Sequence, residues 1–347
     1  MSLKATLNTT SMTNVRLEAA ENKGDLNRRT ARSRIAVILP CYNEATTISD
    51  VIYDFQVALP GADIYVFDNN STDDTAEIAE RAGAIVRNEP RQGKGHVVRR
   101  MFADIEADIY IMADGDGTYD ASVAPNLISL LQSEHVDMVV GTRSGVTEDA
   151  GRHGHAFGNQ LFNRLYTLLF GDQFSDIFSG YRVFSRRFVK SFPATSQGFE
   201  IETEMSVHCS QLGIPTIEYP TRYGVRPEDS NSKLRTLRDG MRILGMFALL
   251  AKETRPASFF GGIGLMMAVA ATLISLPVFV TYLQTGLVPR FPTLILSVGL
   301  IIVSTVAAVC GLILDSLARS RIEAKRSVYL SYPARTWQEE LRATLQA

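Results

Sequence analysis

Apolar positions in the first part of this chain follow two alternating rhythms. Short continuous runs read as buried strands: Ile35-Ala36-Val37-Ile38-Leu39, Asp63-Ile64-Tyr65-Val66-Phe67, Ala84-Ile85-Val86, Ile109-Tyr110-Ile111, and Val136 to Thr142. Between them the spacing becomes helical, with Ile48, Val51, Ile52 and Phe55 at i, i+3, i+4 and i+7. Further helices are predicted up to Arg81, capped by Thr72 or Asp73, and from Lys94 to Ile105. This alternation predicts a mostly parallel sheet with helices on both faces. Ligands of such sheets bind beyond the carboxyl ends of the strands. Three polar segments fall there: Pro40-Cys41-Tyr42-Asn43-Glu44, Asp68-Asn69-Asn70-Ser71 and Asp114-Gly115-Asp116. They are expected to converge on one cleft.

The rhythm changes near the C-terminus. No charged residue occurs across the 26 positions Ser258 to Leu283, or across the 24 positions Phe291 to Leu314. Each run exceeds the roughly 20 residues that cross a hydrocarbon core of about 30 Å. Gly286 and Pro289 break the linker between them. Lys252 and Arg255 precede the pair; Arg319, Arg321, Lys325 and Arg326 follow it. The positive-inside rule puts both flanks in the cytosol and the linker outside. Ahead of the runs, Leu234, Leu237, Met241, Leu244 and Ala248 share a helical face, with Lys233, Arg235, Arg238, Arg242 and Lys252 interspersed. That pattern predicts an amphipathic helix lying on anionic lipid.

The expected organisation is therefore a disordered cytosolic tail (1–33), a catalytic domain (34–232), a juxtamembrane amphipathic helix (233–256), a two-helix transmembrane hairpin (257–314, spans 258–283 and 291–314) and a cytosolic tail (315–347). The first segment is polar and has no apolar stretch of the kind a secretory signal needs. A formal net charge of -2 on 347 residues gives no reason to expect nucleic-acid binding. Cys41, Cys209 and Cys310 are too far apart for metal-ligand spacing and read as free, packed thiols.

Asp114 and Asp116 carry the strongest chemical signal. Residues i and i+2 of an extended chain point the same way, so both carboxylates can face one cation. A hard cation held by one or two carboxylates and completed by phosphates suits Mg²⁺ or Mn²⁺. The competing reading is a polar turn capping a helix near Asp120. Lys94, in Gln92-Gly93-Lys94-Gly95-His96, can reach a phosphate or nucleoside unobstructed. The spacing is not that of a Walker A loop, and no Gly-x-Gly-x-x-Gly follows the first strand. Glu200, Glu202 and Glu204 supply carboxylates, and i, i+4 spacing puts Glu200 and Glu204 on one helix face. His153 and His155 have no third ligand nearby and read as a loop.

Taken in order, these segments resemble the glycosyltransferase family 2 enzymes, with their Rossmann-like GT-A fold. The matching pieces include Asp68 to Thr75 and Gly93-Lys94-Gly95. Gly141-Thr142-Arg143, Asp176 to Arg182, Gly198 to Glu204, and Arg226 through Ser232-Lys233-Leu234 narrow the likeness. They resemble the polyprenyl-phosphate hexosyltransferases, which include dolichol-phosphate mannose and glucose synthases. The resemblance implies that Pro40, Tyr42, Glu44 and Asp68 bind the donor nucleoside, with Lys94 beside them. It implies that Asp114 and Asp116 hold the metal on the diphosphate. It also implies that Arg143, Arg226 and Lys233 hold the acceptor phosphate or the leaving group. Arg164 and Arg182 are candidate acceptor contacts. The pattern departs at Thr118, where mannose synthases usually place Gln.

The implied reaction is an inverting, metal-dependent transfer of a hexose from a nucleotide sugar to polyprenyl phosphate at the cytosolic membrane face. A UDP-sugar is favoured. The expected partners are that donor, the acceptor and the bilayer; homo-oligomer formation is compatible with the chain. One alternative is transfer to a sugar hydroxyl of a lipid-linked or polysaccharide acceptor. Another is a non-catalytic membrane scaffold.

Overall fold

The computed structural model describes residues 33–144, 166–167, 171, 173–198, 200–224, 245 and 252–334. Alternating elements open the chain: β1 (Ile35–Cys41), α1 (Ile48–Ala58), β2 (Asp63–Asp68), α2 (Thr75–Arg81), β3 (Ile85–Asn88), α3 (Lys94–Asp104) and β4 (Ile109–Met112). A short 3₁₀ turn, Ala121–Val123, leads into α4 (Ala124–Ser133) and β5 (Met138–Ser144). Then come β6 (Arg182–Ser185), α5 (Arg186–Ser191), α6 (Ile201–Leu212) and β7 (Thr216–Arg222).

The seven strands form one sheet in the order β3-β2-β1-β4-β6-β5-β7. All neighbours are parallel except β6, which runs antiparallel to both β4 and β5. Strand alternation explains the two apolar cores. Ala36, Ile38, Tyr110 and Met112 pack into one cluster, whereas Val37, Leu39, Ile109 and Ile111 pack into the other. A strand buried on both faces must be apolar at every position, which is why β1 and β4 read as unbroken runs. The carboxyl ends of β1, β2 and β4 open at one edge, because these strands are mutually parallel.

Each of the five runs read as strands overlaps a strand of the sheet, although β3 starts one residue after Ala84 and β5 two residues after Val136. The sequence pattern did not reveal β6. Its four residues are all buried, and their direction follows from a crossover rather than from any local signal. The helix expected from Thr72 or Asp73 begins at Thr75, and Asp73 instead accepts hydrogen bonds from the Thr75 backbone and hydroxyl.

Two long helices follow: α7 (Pro256–Thr285) and α8 (Phe291–Ser331). They pack as an antiparallel hairpin. Gly264 lets the backbones approach, since a Cβ there would lie 3.0 Å from the Ser304 carbonyl oxygen, and the Ser304 hydroxyl donates to the Gly264 carbonyl at 2.7 Å. Leu265, Met266, Leu273, Leu296, Ile302 and Leu312 stand exposed along the pair. An apolar surface this extensive suits a bilayer, and both helices are long and apolar enough to cross one. Cys310 lies on that exposed surface, unlike buried Cys41 and Cys209. α8 also runs on to Ser331, well past the uncharged run that ends at Leu314.

Candidate active site

The site grows from three turns stitched together by asparagines. After β1 the chain turns through Asn43, at φ 54°, and after β2 through Asn70, at φ 60°. Asparagine tolerates this left-handed region better than most residues. The Asn43 amide donates to the Ser71 hydroxyl at 2.9 Å, and Thr72 N donates to Asn43 Oδ1 at 2.8 Å. Asn69 links the second turn to the third: its Nδ2 donates to the carbonyls of Glu89 and Arg91, and its Oδ1 accepts from Gly93 N at 2.7 Å. These bonds tie the β1 and β2 ends to the start of α3.

Among the expected nucleoside contacts, Pro40 and Tyr42 are half-buried at the β1 end, while Glu44 and Asp68 are buried. Glu44 N donates to the Thr75 hydroxyl, and Asp68 Oδ2 accepts from Ser71 N. Among the described residues, Asp68 Oδ1 is buried without a hydrogen-bond partner. A buried carboxylate oxygen left in that state is costly, and a donor from a ligand would relieve it.

Lys94 is the first residue of α3, and its approach depends on glycine. A Cβ at Gly93 would lie 2.3 Å from the Gln197 carbonyl oxygen, and one at Gly95 would lie 2.2 Å from that of Ser196. With no side chains there, the helix start packs directly on the 194–198 segment. The Lys94 ammonium then pairs with Asp114 Oδ1 and, at 2.5 Å, with Glu202 Oε1. Burial alone would lower the lysine pKa, but the two carboxylates outweigh it and raise the value above normal. Lys94 is therefore held as a cation.

β4 ends at Met112, so Asp114 and Asp116 sit in the following turn rather than on extended strand. Their surroundings differ. Asp114 is partly exposed and faces Lys94. Asp116 is buried, and its Oδ1 accepts from the Thr118 amide at 3.1 Å and the Thr118 hydroxyl at 2.6 Å. Thr118 thus orients Asp116. The turn also serves a helix, as the competing reading held: Asp120 accepts from Ser122 N at the 3₁₀ cap. The two functions coexist on neighbouring residues.

The donor set fits a hard divalent cation. Asp114 and Glu202 both pair with Lys94, which leaves that trio one negative charge in excess, and Asp116 adds a further carboxylate two residues beyond Asp114. A Cβ at Gly180 would lie 2.9 Å from Asp114 Oδ2, so glycine keeps that carboxylate approachable. Among the described residues no group of three or more potential ligands gathers. The protein can offer two carboxylates, and the remaining positions would fall to water and a bound diphosphate.

Arg143, near the end of β5, is held by Asp176. Its Nε and Nη2 donate to the two carboxylate oxygens at 2.8 and 2.7 Å, and its guanidinium lies 5.7 Å from the Tyr223 ring centroid. Burial would raise the Asp176 pKa, but the paired arginine outweighs it and lowers the value. The pairing uses two of five guanidinium donors. Arg182 does not reach the surface expected of an acceptor contact. It is 0% exposed, donating to the carbonyls of Ser179 and Ile177 and to the Ser206 hydroxyl. It braces the segment that carries Gly180. Arg164, Arg226, Lys233, His153, His155 and most of the predicted amphipathic helix lie outside the described residues.

The carboxylates on α6 also sort differently from the helical-face expectation. Glu204 accepts from Thr195 N and Ser196 N, and Glu200 accepts from Gly198 N, so both secure the 194–198 segment. Glu202, read from sequence only as one of three available carboxylates, instead pairs with Lys94. The available signal was its i, i+4, i+7 alignment with Ser206 and Cys209, all three of them buried. Tyr119 was missed as well; its hydroxyl accepts from Gly180 N at 2.8 Å and ties the Asp116 turn to the Arg182 brace.

Comparison with known proteins agrees with this architecture. Residues 36–192 match the model of glycosyl transferase family 2. The glycosyltransferase AglJ of Haloferax volcanii is 40% identical over 250 residues, which cover 72% of this chain and 81% of that protein. A dolichyl-phosphate hexose transferase of the same organism is 27% identical over 192 residues, covering 55% of this chain and 83% of that protein. Among solved structures, glucosyl-3-phosphoglycerate synthase from Mycobacterium tuberculosis, in complex with Mn²⁺, UDP-glucose and glycerol 3-phosphate, superposes with a TM-score of 0.52 at 26% identity, covering 66% of this chain and 83% of that one. With its GT-A-like sheet and these relatives, the chain belongs to glycosyl transferase family 2 and is a glycosyltransferase.

Proposed function

We propose that this glycosyltransferase moves a hexose from a nucleoside-diphosphate sugar to a polyprenyl phosphate at the cytosolic face of a membrane. The observation that carries the reading is the Lys94–Asp114 pair, with Asp116 two residues on, at the strand edge of a domain whose chain continues into two apolar helices. A soluble acceptor would need no such anchor. The relative named for dolichyl-phosphate hexose transfer supports this acceptor class, and the solved relative bound to Mn²⁺ and UDP-glucose supports the donor class.

Asp114 and Asp116 would hold Mg²⁺ or Mn²⁺, which supplies Lewis-acid stabilisation of the departing diphosphate when bound. Lys94, kept charged by its two carboxylates, adds a fixed positive group beside that diphosphate. Pro40, Tyr42, Glu44 and Asp68 line the end of the sheet where the nucleoside would lie, and a UDP-sugar is the favoured donor. A phosphate monoester has a second pKa of about 6, so the acceptor is a nucleophile at neutral pH without a general base. It needs only cations to position it, and Arg143, Arg226 and Lys233 are assigned that role. Attack from the face opposite the leaving group inverts the anomeric centre.

Transfer to a sugar hydroxyl would require a carboxylate base. The candidate carboxylates are otherwise engaged, Glu200 and Glu204 with backbone amides and Glu202 with Lys94. The test is sugar transfer from a panel of UDP- and GDP-sugars to a short polyprenyl phosphate, with and without EDTA. Metal-dependent formation of a lipid-phosphate sugar is the expected result. Donor hydrolysis or transfer to a hydroxyl acceptor, with none to the lipid phosphate, would overturn it.

A further inference from the structure

The last helix continues well beyond its apolar run and its final turns pack against the catalytic domain. Tyr329, on α8, is buried and belongs to the same apolar core as Tyr110 and Phe184 of the sheet. Ile322, two turns earlier, packs against that core. Three hydrogen bonds and one cation–π contact close the joint. The Tyr329 hydroxyl donates to Asp137 Oδ2. The Arg187 guanidinium lies over the Tyr329 ring, 3.7 Å from its centroid, and its Nε donates to the Tyr329 carbonyl at 3.1 Å. Arg326 donates to the Leu212 carbonyl at the end of α6. A membrane tether needs none of this; a flexible linker would hold the domain at the surface equally well.

The position of the joint gives it meaning. Asp137 precedes β5, and its carbonyl accepts from Ser185 N at the end of β6. Ser185 in turn faces Ile109, the first residue of β4. Tyr329 therefore docks at the edge of the sheet opposite Asp114 and Asp116. The two edges are about 16 Å apart, five residues of strand at about 3.3 Å each. Leu314 and Tyr329 are about 22 Å apart along the helix, at about 1.5 Å per residue. With the far edge held at that height, the site edge faces either the bilayer or the cytosol. Only the first orientation lets an embedded phosphate reach the site. β7 ends at Arg222 on that same edge.

We propose that Tyr329, Arg187 and Asp137 form a clamp that locks the catalytic sheet to the second apolar helix, with the site edge turned toward the bilayer at headgroup height. These are positioning residues, remote from the reacting atoms. The inference rests on the membrane and acceptor reading above. Loss of the clamp should spare chemistry on an acceptor that diffuses to the site and impair it on one fixed in the bilayer.

The test compares wild type, Tyr329→Ala and Tyr329→Phe on two acceptors: a short water-soluble polyprenyl phosphate and a long-chain one in phosphatidylcholine vesicles. Tyr329→Ala should raise KM for the embedded acceptor by about tenfold while leaving kcat on the soluble one within about twofold. Tyr329→Phe, which keeps the ring, should fall between. Parallel losses on both acceptors, or no loss on either, would overturn the clamp. A readout independent of turnover separates this from the functional reading. In a Cys310→Ser background, spin labels at Leu287→Cys and Ile85→Cys in lipid nanodiscs should give one narrow distance distribution that Tyr329→Ala broadens. A broad distribution in otherwise unaltered protein would refute the clamp. Absence of transfer by wild type alongside a narrow distribution would fault the acceptor assignment alone.

Discussion

Glu202 and His208 share helix α6, and each is a buried ionisable group with a different consequence. Glu202 holds Lys94 alongside Asp114. Glu202→Gln preserves shape but leaves Lys94 with one carboxylate in a buried setting, where removing a charge partner is expensive. We expect about 2 kcal/mol lower stability and at least tenfold slower transfer, since Lys94 would draw Asp114 away from the metal. Unfolding and steady-state kinetics on the one variant check both; unchanged turnover would remove Lys94 from the donor site. His208 packs edge-on against the stacked Phe188 and Phe192 rings, and among the described residues neither ring nitrogen has a hydrogen-bond partner. Burial, aided by Lys325 and opposed by Glu204, lowers its pKa to about 4. The unfolded chain takes up that proton near pH 6.5 and the folded one does not, so stability must fall as pH drops from about 6.5 to about 4. The shift corresponds to about 3 kcal/mol over that window. His208→Leu should flatten the slope in urea midpoints measured across it. At this scale Lys94, Asp114 and Asp116 were legible because glycine and carboxylate spacing is a local signal. Glu202, Asp176 and Tyr119 were not, because each is defined by a partner at least 30 positions away.

Whole elements were legible wherever burial imposes a period. β1, β2 and β4 announce themselves because each must be apolar on both faces. β6 escaped because four residues carry too little pattern, and its antiparallel direction is set by the long crossover from β5. The extent of α8 escaped for a related reason. Counting uncharged residues finds a span, but the helix continues through Asp315 and Arg319, which pair at i, i+4. The junction between α3 and the 194–198 segment was invisible too, although its glycines were noted as a phosphate approach. Their second duty is steric. A Cβ at Gly95 meets backbone atoms of Ser196 and Gln197, which cannot swing aside as a side chain would. Gly95→Ala should therefore destabilise the domain by about 2 kcal/mol and weaken donor binding together, because Lys94 rides on the same turn. Calorimetric titration with UDP- and GDP-sugars, alongside thermal unfolding, measures the two effects. Lost stability with intact donor affinity would show that the junction does not position Lys94.

At the level of the whole molecule, the sequence showed two parts and a membrane preference, but not how the parts meet. The joint between them depends on Arg187 and Tyr329, 142 positions apart, and on Tyr329 and Asp137, 192 apart. No periodicity records such pairs. The topology itself remains a charge argument, with Lys252 and Arg255 on one flank and Arg319, Arg321, Lys325 and Arg326 on the other. Cysteine chemistry can test it, because Cys41 and Cys209 are buried and only Cys310 is exposed on the protein surface. Cys310 lies within the apolar run, where a bilayer excludes water and suppresses the reactive thiolate. In sealed inside-out vesicles a membrane-impermeant maleimide should leave the native protein unlabelled, and detergent should make Cys310 reactive. On a Cys310→Ser background, Ser327→Cys should label in those vesicles without detergent, and Leu287→Cys only after they are opened. The reverse pattern would put the catalytic domain outside, away from any cytosolic nucleotide sugar. Labelling of Cys310 itself in intact vesicles would mean that α8 does not cross the bilayer there, and the exposed apolar surface would then need a protein partner instead of lipid.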